Sequence, residues 1–336
     1  MIVFLKSKIS KSEADELFGF LKSRKISFEE IRCGETRFLY LCSGIDNLKP
    51  GEPENFSAVK RVSGAENEHP LVSSLDENFA VKIKNHTVSK KHFAVMAGPC
   101  TISSEEEADK IASALSKSGV KFLRGGTFKL RTSPYSFGGL GKEGVDILQK
   151  IAQKYDMISI TELTEISQIE FLADKIDILQ VGTRNMQNYP LLRELGHINN
   201  PVILKRGMSS SLKEWLLAAE HIIKSGNSNV ILCERGIKTF ENYTRNTLDI
   251  SAVSALKNMC GLPVIVDPSH STGRSDMIKS VSWAATAAGA DGIIVETHFN
   301  PDSAICDSRQ HITVEELNSI TEKLPVLMKL WDKEKS

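Results

Sequence analysis

The 336-residue sequence has no apolar run near the roughly 20 residues that a membrane-crossing helix needs. It also has no surplus of charge. With 42 Lys and Arg against 42 Asp and Glu, its net charge argues for neither a nucleic-acid nor a membrane partner. Its six cysteines, Cys33, Cys42, Cys100, Cys233, Cys260 and Cys306, are scattered and form no CxxC pair. The expectation is therefore a cytoplasmic protein with free thiols. The first residues, MIVFLKSKIS, lack a basic stretch ahead of their short apolar run and read as a strand rather than a signal peptide. No GxGxxG follows the first strand of the repeating region, so the chain lacks the signature of an open dinucleotide-binding sheet. What remains is 41% apolar residues, enough to bury a core.

Two patterns divide the chain. Residues 1–68 read as strand (Ile2–Leu5), helix (about 11–24), strand (about 27–31) and strand (37–42). Ala14, Leu17, Phe18 and Leu21 fall on one helical face. This predicts a small α+β domain of ferredoxin-like type whose second helix is poorly marked, joined by the polar segment AENEHP to residues 69–336. FAVKIKNHTVSKK predicts a hairpin around Asn85–His86. Eight apolar runs then alternate with amphipathic segments: FAVMAGP, KFLRGG, MISITEL, DILQVG, PVILKRG, NVILCERG, PVIVDPSH and GIIVETH. Eight strands alternating with helices over about 240 residues predict a (β/α)₈ TIM barrel, with an open doubly wound sheet as the alternative.

In such a barrel the C-terminal strand ends open onto one face, where distant residues converge. The residues that follow the runs are Cys100, Arg124, Glu162, Arg184, Lys205, Arg235, His270 and Glu296. A scaffold has no need of charge there, because each such group loses solvation unless it finds a partner. Any one of the cations could pair with Glu162, Glu234 or Asp267. As a set they suit phosphate, with arginine offering a two-pronged fit and lysine a point charge. Cys100, His270 and Glu296, with Asp307 in the loop FNPDSAICD, could share one divalent ion. A mix of thiolate, imidazole and carboxylate suits Mn, Fe, Co or Zn. Taken alone, Cys100 reads equally as a small buried hydrophobe. The glycine-rich connection Arg124–Gly141 is too long for an ordinary strand-to-helix loop. Its Lys129, Arg131, Thr132 and Ser133 offer cations and hydroxyls to a second anionic group.

The motifs AGPC, RGG-F-K-RTSPYSF-GLG, RNMQN, LKRGM, LCERGI-TFE-TRNTLDISAV and VDPSH-TGR, in this order over about 78–310, strongly resemble 3-deoxy-D-arabino-heptulosonate-7-phosphate (DAHP) synthase of the short type I beta branch. The resemblance implies a transferase for the first step of the shikimate pathway, which leads to chorismate and the aromatic amino acids. Phosphoenolpyruvate, D-erythrose 4-phosphate and water give the seven-carbon sugar acid phosphate and inorganic phosphate. By motif matching, the metal ligands would be Cys100, His270, Glu296 and Asp307. Arg124, Lys129, Arg184, Lys205 and Arg235 would surround phosphoenolpyruvate. Arg131, Thr132 and the adjoining Ser133 would hold the aldose phosphate, Lys129 would protonate the new alkoxide, and Glu162 would stand beside the reacting carbon. The N-terminal domain resembles a regulatory domain of some members, implying an aromatic amino-acid effector and a homotetramer.

The sequence departs from the family pattern at four places. Leu130 replaces a proline, Gly138 a glutamine and Thr183 an alanine, and Ser308 follows Asp307 where glycine is usual. Two alternatives stand beside the main reading. One is 3-deoxy-D-manno-octulosonate-8-phosphate synthase, which uses arabinose 5-phosphate and usually carries Ala-Asn-Arg-Ser where this chain has Leu130-Arg131-Thr132-Ser133. The other is a weakened paralogue that binds metabolites without turnover.

Overall fold

The computed structural model describes residues 1–33, 36–63 and 68–335; the first half of the linker AENEHP lies outside them. The chain opens with β1 (Ile2–Leu5), the helix Lys11–Ser23, β2 (Ser27–Cys33), β3 (Thr36–Ser43) and β4 (Val59–Ser63). These strands form an antiparallel sheet in the order β2-β3-β1-β4, the order of a ferredoxin-like fold. The expected second helix is replaced by two short 3₁₀ turns, Ile45–Asn47 and Glu52–Asn55. Gly44, Gly51 and Pro53 punctuate this stretch and leave no run long enough to nucleate a helix. The helix Lys11–Ser23 starts at a reciprocal cap, in which the Ser10 hydroxyl accepts from the Glu13 backbone N–H and the Glu13 carboxylate accepts from that of Ser10.

Side chains in this sheet alternate between two apolar surroundings instead of between core and water. Val3, Leu5, Leu39 and Leu41 pack on Leu17 and Leu21 of the helix. Ile2, Phe4, Phe38 and Tyr40 face the other way, into the main core of the molecule. This explains why β1 is buried at every position. Lys224, from the barrel helix Leu212–Lys224, stands 4.4 Å from the centre of the Tyr40 ring.

A hairpin follows, β5 (Ala80–Ile83) with β6 (His86–Ser89), and then the eight expected parallel strands. They are β7 (His92–Gly98), β8 (Phe122–Arg124), β9 (Ile158–Leu163), β10 (Ile178–Val181), β11 (Val202–Lys205), β12 (Val230–Glu234), β13 (Val264–Val266) and β14 (Gly292–Glu296). The barrel closes through β14 and β7, in a register running from Gly292 opposite Ala94 to Glu296 opposite Gly98. Strands covered on both faces read as unbroken apolar runs, which is why the pattern was so legible. Met96, Phe122, Ile160, Ile203, Ile231 and Ile265 fill the interior, and Val81, Ile83 and Val88 of the hairpin join the same cluster. The hairpin thus extends the barrel's internal core, and the strands' C-terminal ends carry the polar residues.

Between the small sheet and the barrel, the Glu220 carboxylate accepts the backbone N–H groups of Leu71 and Val72, both at 2.9 Å. Burial raises this carboxyl from its ordinary 4.5 to about 7, against the two N–H donors and Lys224. A raised carboxyl favours the folded state fully below about 4.5 and loses that contribution as pH rises through about 7. Glu220→Gln cannot titrate. The stability of the native protein minus that of Glu220→Gln should therefore fall between pH 4.5 and 7 in urea titrations. A difference that is flat or rising across this range would contradict the assignment.

Candidate active site

The mouth of the barrel holds a cleft of about 340 Å³ lined by side chains from seven of the eight strand ends and their loops. Seven cations border it: Lys129, Arg131, Arg184, Lys205, Arg235, Lys238 and Arg245. Against them stand the carboxylates Glu162 and Asp307, with His270 and the hydroxyls of Thr132 and Ser133. A smaller recess below is lined by Cys100, Arg124, Lys129, Glu162 and His270. All thirteen residues expected from the sequence line one or the other, except Glu296, which lies buried directly behind His270 and Arg124.

Close approach of the first two barrel strands sets the floor. Gly98 has φ 153°, and a Cβ there would lie 2.0 Å from the Arg124 carbonyl oxygen. Its absence lets the Pro99-Cys100 corner sit against the end of β8, where the Arg124 guanidinium donates to the Pro99 carbonyl (2.7 Å) and to Glu296 (3.1 Å). Cys100 Sγ and oxygens of Glu296 and Asp307 all lie within 4.8 Å of one another, a cluster able to hold a metal ion. His270 lies just outside that mutual grouping, with its Nε2 3.5 Å from Glu296 Oε1. Its Nδ1 is 2.8 Å from Asp267 Oδ2, in close contact but unaligned as a hydrogen bond.

A cation already occupies this cluster. The Lys129 ammonium touches Cys100 Sγ and lies 3.0 Å from Asp307 Oδ2. Burial alone would lower the Lys129 pKa, yet Cys100, Glu296 and Asp307 outweigh it and hold the value above the ordinary one. The Cys306 sulfur at 3.6 Å, burial and the Glu296 charge push the Cys100 thiol well above its usual range, against Lys129. Burial lowers His270 to about 4, against the attraction of Asp267, and a neutral imidazole is the form that coordinates metals. Asp307 is held down at about 2: burial would raise it, but Lys129 prevails. A thiol that an ion would have to deprotonate, a neutral imidazole and two ionised carboxylates around a spot that already attracts an ammonium group fit a divalent ion.

On the cleft side, pairing takes up some of the charge. Lys205 Nζ lies 2.5 Å from Asp267 Oδ2, so this lysine does have the partner that a purely structural role would give it. Deeper, Arg206 bonds Glu234 and Asp249. Arg235 has no such partner: it is 5% exposed, its Nε bonds nothing among the described residues, and its one hydrogen bond is a 3.4 Å contact with the Gly236 carbonyl. Among the described residues Arg184 hydrogen-bonds neutral atoms, Leu130 O at 3.4 Å and Thr132 Oγ1 at 3.3 Å. This ties the arginine to the loop carrying Arg131 and Thr132. Glu162 faces Lys205, Lys129, Arg124 and Arg184, yet burial still raises its pKa. A Cβ on Gly182 would fall 2.0 Å from its Oε1, so this carboxylate rests directly on β10's end.

Sequence reading missed Lys238, Arg245 and Asn246, which line the cleft from the irregular stretch after β12. Arg245 and Asn246 fall in the TRNT motif, but no periodicity marks its side chains as inward. Three of the four departures from the family pattern are accommodated locally. Asp307, at φ 53°, takes the left-handed conformation in its loop, and Ser308 has no need of glycine's freedom. A Cβ on Gly138 would meet nothing within 4 Å. Leu130 presents its carbonyl to Arg184, which proline would also do.

Over 327 residues the chain is 40% identical to the phospho-2-dehydro-3-deoxyheptonate aldolase of Thermotoga maritima, covering 96% of this chain and 90% of that one. The crystal structure of the Thermotoga maritima DAHP synthase matches with a TM-score of 0.79 at 37% identity, over 100% of this chain and 99% of that chain. More distant is the 2-dehydro-3-deoxyphosphooctonate aldolase of Francisella tularensis subsp. holarctica, 30% identical over 74% of this chain and 98% of its own. The DAHP synthetase I family model matches residues 78–331. With a barrel of the same architecture and a cation-lined mouth built from the shared motifs, the chain belongs to the DAHP synthetase I family.

Proposed function

We propose that the cleft condenses phosphoenolpyruvate with D-erythrose 4-phosphate and water, giving 3-deoxy-D-arabino-heptulosonate 7-phosphate and inorganic phosphate. The observation that carries this reading is the unpaired, buried Arg235 in a cleft with a large excess of cations. A buried guanidinium whose N–H groups bond no carboxylate is unfavourable, although Asp267 and Glu234 lie near enough to attract it, and a phosphorylated anion would supply the bonded counter-charge.

In this reading Arg184, Lys205 and Arg235 hold phosphoenolpyruvate, with Arg124 and Lys129 at its inner end. Arg131, Thr132 and Ser133 hold the aldose phosphate on the outer loop. Cys100, His270, Glu296 and Asp307 hold a divalent ion, which when bound polarises the aldehyde as a Lewis acid. C3 of the enol then bonds to the aldehyde carbon, and the carbonyl oxygen takes a proton from Lys129. That lysine, kept charged by the anions around it, is a competent donor beside a developing alkoxide. Water adds at C2 and releases a proton to Glu162, whose raised pKa suits it to accept one. The C2 hydroxyl then closes to the ketone carbonyl as phosphate leaves with the electrons of the C2–O bond and takes up the hydroxyl proton.

The small domain is proposed to carry feedback inhibition by an aromatic amino acid, with the protein a homotetramer. Support comes from its ferredoxin-like topology and its extensive apolar contact with the barrel. Removing residues 1–68 is expected to abolish such inhibition while preserving turnover; unchanged inhibition would refute the role.

Turnover is tested by phosphoenolpyruvate loss in the presence of Mn²⁺, with either aldose and with or without chelator. The expected result is chelator-sensitive consumption with erythrose 4-phosphate at a rate at least about 10²-fold above that with arabinose 5-phosphate, the discrimination of a site built to bond one hydroxyl pattern. Preference for the five-carbon sugar would assign the octulosonate reaction. Tight phosphoenolpyruvate binding with no turnover of either would make the chain a metabolite binder.

A further inference from the structure

Gln310 is buried, 3% exposed, and both ends of its amide are engaged by groups of opposite demand. Nε2 donates to Glu296 Oε2 at 2.7 Å, and Oε1 accepts from Arg245 Nη1 at 2.8 Å. This orientation is fixed by chemistry: a flipped amide would set oxygen against carboxylate and N–H against guanidinium. Glu296 is thereby held from both sides, by Gln310 on Oε2 and by Arg124 on Oε1, the oxygen that also faces His270. Gln310 ends the 3₁₀ turn Ser308–Gln310, and its backbone N–H donates to the Asp307 carbonyl at 3.1 Å. One short turn therefore carries Asp307 and the side chain that steadies Glu296. Arg245, at the other end of the amide, lines the cleft and lies 3.7 Å from Asp307 Oδ1.

We propose that Gln310 is a positioning residue that couples the metal cluster to the cation wall of the cleft. It orients the Glu296 carboxylate for an ion and, through the same amide, fixes Arg245 at the cleft's edge. The two sites then share a coupling free energy: ordering one end of the amide favours the ordered position of the other, in either direction. The proposal rests on the reading of Cys100, His270, Glu296 and Asp307 as metal ligands. A neutral amide suits this post better than a carboxylate, which would repel Glu296, or an ammonium, which would compete with the ion for its charge.

The test measures Mn²⁺ affinity of the substrate-free protein by electron paramagnetic resonance of the unbound ion. The proteins compared are native, Gln310→Met, Arg245→Met and the double variant. Gln310→Met keeps length and burial while removing both hydrogen bonds. It should weaken Mn²⁺ binding about 10- to 100-fold, the usual effect of losing a group that orients a metal ligand. Arg245→Met, at a site exposed by about two-fifths, should weaken binding several-fold in the native background and markedly less in the Gln310→Met background. Native-like Mn²⁺ affinity in Gln310→Met would overturn the proposal and leave the metal reading standing. Additive effects in the double variant would overturn the coupling, even if Gln310→Met alone fails to fold and the cycle is closed with Gln310→Leu. A native protein that binds no Mn²⁺ would overturn both readings together.

Discussion

Charge withdrawn from water at the mouth of the barrel must be neutralised, and the rest of the site follows from how that is done. Three buried carboxylates meet three buried cations directly: Glu296 with Arg124, Asp267 with Lys205, Glu234 with Arg206. Such pairs contribute little net stability, because each ion has surrendered its hydration, but breaking one is severe. Their effect here is to orient. Arg124 fixes Glu296, and Asp267 sits against His270, so two proposed ligands are held by charges that belong to the scaffold. What the pairs leave over is positive: among the described residues Arg235 and Arg184 form no ion pair with a carboxylate, and that surplus is what a phosphorylated substrate would meet.

Lys129 links the two halves of the site. Its ammonium lies between Cys100 and Asp307, where the proposed ion would sit, and its backbone belongs to the loop that carries Arg131 and Thr132. An ion entering the cluster would displace this ammonium toward the cleft, where a proton donor is wanted. The scaffold makes the arrangement rigid by close approach: Gly98 lets the first two strands meet below Cys100, and Gly182 lets Glu162 lie flat on the end of β10. At the opposite end, hairpin residues Val81, Ile83 and Val88 join the barrel's inner core and leave the C-terminal face free for function.

The eight strands were legible because parallel strands buried on both faces are written as continuous apolar runs, and their ends then point to Cys100, Arg124, Glu162, Lys205, Arg235, His270 and Glu296 without further information. Arg245 and Asn246 were not legible in the same way. They reach the cleft from a stretch held by isolated backbone pairings, Ile237 with Thr247 and Arg245 with Thr272, whose side-chain directions no period describes. Gln310 was hidden for a related reason, since its role depends on a contact with a residue 65 positions away. The weak second helix of the small domain proved to be two 3₁₀ turns, as its glycines and prolines allow. At the position after Asp307, where glycine is usual, Ser308 needs no left-handed backbone, because Asp307 itself takes that conformation.

The central claim is that Cys100, His270, Glu296 and Asp307 form one metal centre from which Lys129 is displaced. Anomalous diffraction from crystals grown with Mn²⁺ and phosphoenolpyruvate tests it most directly. The account predicts a single peak bounded by these four side chains at coordination distances of about 2.0–2.5 Å, with Lys129 Nζ moved off the Cys100 sulfur toward the substrate. A peak elsewhere, or an empty cluster with Lys129 still seated on Cys100 and phosphoenolpyruvate bound, would contradict it.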